Sequence, residues 1–481
     1  MTETELKLEF LPADIERLLG SDLLGEPADS IRQDSTYFDT GDYRLRAAGF
    51  SLRIRRSGGQ SVQTVKATGP GASLFARSEW ETSITRDMPV FDHSTPLLNE
   101  FGPVAADLSP QFEISIHRRV WSLTEDGSNI EAVIDTGHVD AWDRQTSILE
   151  LKLELKDGNA RDLFTFARKI EAVASFKFAV LSKAERGYRL LEAQLSVYKV
   201  EPIELEPGSS VTEAFQAIAA SCFRQFRLNE TLLLERKNAA ALHQARVALR
   251  RLRSAISLFT PIFTDDTAKR MSDEFRWLAG VLGEARNLDV LTAQAHELRD
   301  RLVEAGTAAY ADVEDALSSF RARALMVDFN EWLQCGEYLA SAAVLEAPRS
   351  SATDFACEAM DRLRRKLKKR GRNLAGGEDE HRHEARKNAK KLRYAAEFFG
   401  SLFAGKRAAR RYKRFIDAVE KLQDQLGALN DLATGPDVLD KYGLRDHPEA
   451  DRLVSHADKS ALIHKAQDAL DDVLDAKRFW K

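Results

Sequence analysis

The segment Thr2-Glu-Thr-Glu-Leu-Lys-Leu-Glu-Phe10 alternates charged and apolar side chains with a period of two. In a strand, that period sends Glu3, Glu5 and Lys7 to one face and Leu6 and Leu8 to the other. The same grammar runs to about residue 195, through Ser51–Arg56, Val62–Ala67, Glu79–Ile84, Phe112–Leu123, Ile130–Asp135 and Ile148–Lys156. Turn signals separate these runs, among them Gly58-Gly59, Asp126-Gly127 and Asp157-Gly158. Helical patterns interrupt at Pro12–Leu19 and Ala160–Val173. The reading is an antiparallel sheet closed into a barrel.

Charge repeats across these strands. Arg53 and Arg55 share a face, as do Glu79 and Glu81, and Glu150, Lys152 and Glu154, while Lys66 and Arg118 lie in further strands. Turned inward, such faces bury carboxylates and cations together, which is costly unless they hold a metal ion or a polyanion. Phosphoryl transfer suits that interior. Paired carboxylates bind Mg²⁺ or Mn²⁺ through oxygen, and Arg and Lys neutralise phosphate.

After Ser209 the pattern becomes helical, with apolar residues at spacings of three and four. Breaks are expected near Pro261, Ala305-Gly306, Pro348, Gly376-Gly377, Gly400 to Gly405 and Gly435-Pro436. This half repeats itself without a gap. His243-Gln-Ala-Arg-Val-Ala-Leu-Arg-Arg-Leu-Arg253 matches His383-Glu-Ala-Arg-Lys-Asn-Ala-Lys-Lys-Leu-Arg393, and a closing Phe recurs at 259 and 399. On a helix, His243, Arg246, Arg250 and Arg253 form one stripe, as do His383, Arg386, Lys390 and Arg393. A stripe retained through a duplication points to a ligand, because a merely solvated face is free to exchange its cations for acids. No acid or cysteine completes a metal site at either histidine.

Eight ordered segments resemble the CYTH, or triphosphate tunnel metalloenzyme, family. They are Glu3-x-Glu5-x-Lys7, Tyr37-Phe-Asp-Thr40, Leu52-Arg-Ile-Arg55, the Lys66 strand, Arg77-x-Glu-Trp-Glu81, Asp135, the Glu150–Glu154 strand and Ser182-Lys-Ala-Glu-Arg-Gly-Tyr188. The resemblance implies an eight-stranded antiparallel tunnel and metal-dependent hydrolysis of triphosphates. It assigns Glu3, Glu5, Glu150 and Glu154 to Mg²⁺ or Mn²⁺, and Lys7, Arg53, Arg55, Lys66, Arg118, Lys183 and Arg186 to triphosphate. One departure stands out. The family's late strand reads Glu-x-Glu-x-Glu, whereas Lys152 here replaces the middle acid, which cancels one negative charge and leaves two roles open: repelling a second cation, or binding a phosphate or activating water.

The helical signature resembles the CHAD domain, which implies two four-helix bundles meeting at a groove for inorganic polyphosphate. That resemblance assigns the groove to both stripes, with Arg362–Arg372 and Lys406–Arg414 extending its field and Asp289 and Asp431 buttressing the arginines. The chain thus reads as multidomain α+β, a tunnel over 1–200 and helices over 210–481 in repeats of about 210–345 and 346–481.

Composition sets the limits. The 481 residues exceed one core, and 43% hydrophobic with 30% charged residues fits folded domains. There is no apolar run near twenty residues and no basic-then-apolar start, so neither a membrane span nor a secretory signal is expected. Three cysteines without CxxC spacing favour the cytoplasm, and polyphosphate granules are the place that polyphosphate affinity suggests. The net charge of −5 hides arrangement, since eight of eleven residues are basic from Arg362 to Arg372 and six of eleven from Ala404 to Arg414. Two readings remain: a triphosphatase carrying a polyphosphate module, and a non-catalytic polyphosphate-binding or granule-associated protein. The stripes lack interleaved aromatics for base stacking, which argues against nucleic acid.

Overall fold

The computed structural model describes residues 4–67, 78–102, 104–192, 195–340, 351–372, 374, 376–455 and 458–481. The chain divides into two compact units: Met1–Leu195 with Met326–Cys335, and Ser196–Leu325 with Gly336–Lys481.

The first unit is built on nine strands: β1 (Glu5–Phe10), β2 (Asp29–Thr40), β3 (Phe50–Ser57), β4 (Gln60–Ala67), β5 (Ser78–Ile84), β6 (Leu108–Glu125), β7 (Ser128–Ala141), β8 (Arg144–Asp157) and β9 (Phe176–Phe178). They pair in the order β5-β4-β3-β2-β6-β7-β8-β1-β9, every ladder antiparallel. Gly58 and Gly59, both at positive φ, close the β3–β4 hairpin with the twist that a two-residue turn requires.

The sheet corrects the expectation of an eight-stranded closed barrel: it has nine strands and stays open. Closure needs the two edge strands to pair along their length. β9 has only three residues, all engaged on β1, and among the described residues no ladder joins it to β5.

Five helices belong to this unit: α1 (Pro12–Leu19), α2 (Arg44–Ala47), α3 (Leu97–Phe101), α4 (Ala160–Val173) and α5 (Lys183–Leu191). One sheet face is apolar. Phe38, Leu52, Ile54 and Val65 pack there with Leu45 of α2 and Leu97 of α3. On the other face Tyr37, Phe112, Ile114, Ile116, Val139 and Ile148 make a local core under Tyr188 of α5. Gly187 permits this close approach, since a Cβ there would stand 2.1 Å from the Phe112 ring.

The helical unit contains α6 (Val211–Glu235), α7 (Ala239–Leu258), α8 (Thr267–Gln294), α9 (Arg299–Ser318), α11 (Ala352–Gly371), α12 (Asp379–Phe399), α13 (Lys406–Lys441), α14 (Pro448–Ser455) and α15 (Lys459–Asp475); α10 (Phe320–Cys335) falls across the division. α6 packs on α7, α7 on α8 and α8 on α9; α11 packs on α12, α12 on α13 and α13 on α15. The duplicated stripes lie on α7 and α12, which also pack on each other.

Two expected breaks are continuous helix. Gly306 lies inside α9, where Leu302, Ala309 and Val313 keep the buried stripe unbroken. Pro436 lies inside α13, held by buried Leu429 and Leu439 on either side, so the lost backbone hydrogen bond is borne within a packed helix. Pro348 lies outside the described residues.

Candidate functional site

Register decides which side chains meet. Directly opposed residues of an antiparallel ladder point to the same face. Glu5 opposes Glu154, which opposes Glu131; Lys7 opposes Lys152; and Glu9 opposes Glu150, which opposes Asp135. Asp135 opposes Arg118, which opposes Ile31 of β2. Ser35 and Tyr37 of that strand oppose Arg55 and Arg53, and β4 and β5 add Lys66 against Glu79 and Thr64 against Glu81. One sheet face therefore carries every described strand charge that the sequence reading singled out as a candidate for metal or phosphate. Glu3 and Arg77 lie outside the described residues.

Ion pairs knit this face together. Arg118 grips Asp135 with two hydrogen bonds, Nε to Oδ1 at 2.8 Å and Nη2 to Oδ2 at 2.7 Å. Burial pushes the Asp135 carboxyl up, but Arg118 and Lys183 outweigh it and hold the group below the usual carboxylate range. Lys183 bridges Glu150 and Asp135, 3.1 Å from the latter, and Arg186 bridges Glu9 and Glu150, 2.8 Å from Glu150. Burial opposes charge on Lys183 also, yet Glu150 and Asp135 raise its pKa above the usual lysine value.

Lys183 and Arg186 are delivered by α5. A capping box, Ser182 with Glu185, starts that helix, and Tyr188 anchors it by donating to Asp39 Oδ2 at 2.8 Å. Asp39 is fully buried and also accepts the backbone N–H groups of Thr40, Leu45 and Arg46.

Towards β5 the balance is different. Arg55 pairs with Glu81 and Lys66 with Glu79, each at 2.8 Å. Arg53 donates only a long 3.4 Å bond to the Tyr37 hydroxyl, and its buried Nε has no partner among the described residues. Burial, then Arg53, lowers the Arg55 pKa. Arg53 thus keeps donor capacity that an anion could fill.

In the helical unit, α7 and α12 bring cations together. Arg250 Nε donates to the Tyr394 hydroxyl at 2.7 Å. The Arg246 guanidinium lies over Gly283 of α8. Burial, then Arg250, Arg386 and Arg246, pushes Lys390 down to about 7, with Asp431 acting the other way. Burial, then Arg286, Arg250 and Arg246, pushes His243 down to about 4. His243, Arg246, Arg250, Arg386 and Lys390 thus share one repulsive neighbourhood with Arg286. An extended polyanion is the natural counter-charge for it.

Residues 1–188 match the model of the CYTH domain, and residues 217–440 match that of the CHAD domain. The chain joins a CYTH domain to a CHAD domain. Over 164 residues it is 31% identical to the inorganic triphosphatase of Haemophilus influenzae, a match taking in 32% of this chain and 45%, less than half, of that protein. An uncharacterized protein of Mycobacterium tuberculosis is 26% identical over 423 residues, 78% of this chain and 77% of its own. The solved CHAD domain of the plant Ricinus communis aligns at 27% identity and a TM-score of 0.49, over 59% of this chain and 97% of that one.

The CYTH domain's acids fit a hard divalent cation in donor type, with Glu5, Glu154 and Glu131 in register on three adjacent strands. Their present counter-charges are lysines, and among the described residues no three acids, histidines or cysteines close on one point. Of the expected ligands, Glu150 is committed to Lys183 and Arg186.

In the CHAD domain the stripes separate at their ends. Arg393 is tied to Glu397 and Glu420 at 2.7 and 2.8 Å, and Arg253 lies near Arg276 and Asp273. His383 shares a 3.1 Å hydrogen bond with the Asn430 side chain. Asp431 lies near Arg246, Arg386 and Lys390, while Asp289 accepts from the Tyr310 hydroxyl at 2.9 Å and lies near Arg286.

Sequence reasoning passed over Glu9, Glu131, Lys156 and Arg286. Glu9 continues the alternation of Glu5 and Lys7, and Arg286 lies three residues before Asp289, so both had a signal. Among the described residues no helix is long and apolar enough to cross a membrane.

Proposed function

We propose that the CYTH domain hydrolyses inorganic triphosphate with Mg²⁺ or Mn²⁺, and that the CHAD domain binds inorganic polyphosphate. The observation that carries the first half is the shared face. Lys7, Arg53, Arg55, Lys66 and Arg118 arrive on it from β1, β3, β4 and β6, and α5 adds Lys183 and Arg186. Similarity to an inorganic triphosphatase over 164 residues supports it.

The roles follow from the chemistry. The cations neutralise the phosphate oxygens, Arg53 with its unfilled donors anchoring one end. The divalent ion, held by Glu5 and Glu154 with Glu3 and Glu150 as the remaining candidates, supplies Lewis-acid neutralisation of phosphate charge. The rest is positioning of the chain against attack by water. In the CHAD domain, Arg246, Arg250, Arg286, Arg386 and Lys390 take the polyphosphate, and granule association in the cytoplasm would follow from that affinity.

Phosphate release from tripolyphosphate by the full chain, with Mg²⁺, with Mn²⁺ and with chelator, tests the first half. Loss of release in Glu5→Ala is expected, and no metal-dependent release from the wild type sinks the triphosphatase. A binder without turnover is the second reading, favoured by the lysine and arginine partners that the carboxylates already have. It predicts tripolyphosphate binding with no release.

A further inference from the structure

The acids best placed for a divalent cation already share their charge with ammonium groups. The Nζ of Lys152 bonds Glu154 and stands 3.9 Å from Glu5, tying carboxylates of two neighbouring strands. Lys156 does the same for Glu154 and Glu131, at 3.1 Å from the latter, and Lys7 lies 2.5 Å from Glu5. Three carboxylates meet three ammonium groups.

The next row is balanced in the same way. Glu9, Glu150 and Asp135 meet Arg186, Lys183 and Arg118. In both rows, then, each of these carboxylates already has a cation against it. Joining carboxylates of adjacent strands is what a divalent ion does in an oxygen-ligand site, and here a lysine does it. A bare ion entering the row would have to displace the Lys152 ammonium from the carboxylates it already ties together. A triphosphate brings its own negative charge with it.

Resting on the triphosphatase reading, we infer that Lys152 serves as a built-in cation in place of a resident divalent ion. The divalent ion then enters this face only as the chelate of triphosphate, and the chelate is the true ligand.

Mn²⁺ uptake by the full chain, followed by the spin-resonance signal of the free ion, tests this. The wild type takes up Mn²⁺ with tripolyphosphate and none at the same concentration without it, and Glu5→Gln/Glu154→Gln abolishes the triphosphate-dependent uptake. Lys152→Glu exchanges a cation for an acid and binds Mn²⁺ alone. Mn²⁺ taken up alone by the wild type, and lost in Glu5→Gln/Glu154→Gln, overturns the inference. So does a Lys152→Glu chain that circular dichroism shows folded and that takes up no Mn²⁺ alone. Phosphate release is not the readout. A chain that binds the chelate without turning it over defeats the triphosphatase and leaves this inference standing, and an active enzyme that binds Mn²⁺ alone does the reverse.

Discussion

Arg118 of β6 holds Asp135 of β7 through two hydrogen bonds from two nitrogens to two oxygens, with the carboxylate only 3% exposed. The pair is the cross-strand link between the arginine-rich and the acid-rich parts of the charged face. Breaking such a buried pair strands an uncompensated guanidinium beside Lys183.

Asp135→Asn is therefore expected to lower unfolding stability by about 3 kcal/mol, read by denaturant titration at pH 7. The pH dependence has a definite sign. The folded pKa is held below the unfolded value, so the pair's contribution is present above about pH 4 and disappears as pH falls through the folded value. The wild type should lose stability more steeply below pH 4 than Asp135→Asn does. Equal slopes would refute the assignment.

Mutual repulsion in the CHAD cluster predicts a trade of stability against binding. Removing one cation, as in Lys390→Met, is expected to raise the melting temperature of the ligand-free chain and weaken polyphosphate binding. Saturating the wild type with polyphosphate at about 100 times its dissociation constant should add about 2.7 kcal/mol. Melting curves with and without polyphosphate check both signs, and a destabilised Lys390→Met would count against the cluster.

Lys390 also sets a proton dependence. With its folded pKa down at about 7, the unfolded chain binds more protons between pH 7 and about 10, so ligand-free stability rises with pH across that window. Polyphosphate favours the charged form, so its affinity should rise as pH falls from 8 to 6, with proton uptake on binding. Titration calorimetry in two buffers of different ionisation enthalpy measures that uptake, and Lys390→Arg should remove it.

The anchor of α5 gives a fourth test. Tyr188→Phe removes one donor from the fully buried Asp39 carboxylate and should cost about 2 kcal/mol. Gly187→Ala should cost more, because its methyl group would collide with the Phe112 ring. Both should lower tripolyphosphate affinity by loosening Lys183 and Arg186. Unchanged affinity in a folded Tyr188→Phe chain would show that the anchor does not position the helix's cations.

Much of this architecture was legible because period and parity are local. α1 and α4 begin and end where the pattern put them, and the alternation of Glu5, Lys7 and Glu9 is the alternation of the ladder. β2 escaped notice because Asp29–Thr40 mixes polar and charged residues without a period; pairing on both sides makes it a strand. Closure could not be read either, since it depends on the short β9 at one edge. Shared faces were legible, but partners were not. Which acid meets Arg118 depends on register, and ten residues along a helix span about 15 Å, so Arg253 and Arg393 reach different neighbours from the rest of their stripes.

The pairing of acids with bases over β1, β7 and β8 also bears on how each domain would meet its proposed ligand. Paired charges cast a weaker field into solvent than unpaired ones, so encounter between triphosphate and that part of the sheet should depend only weakly on ionic strength. The CHAD cluster, with Asp431 as its acidic counterweight, casts a strong one, and capture there should slow steeply as salt is added. One chain would then gather long polymers by attraction at a distance and accept short ones by fit.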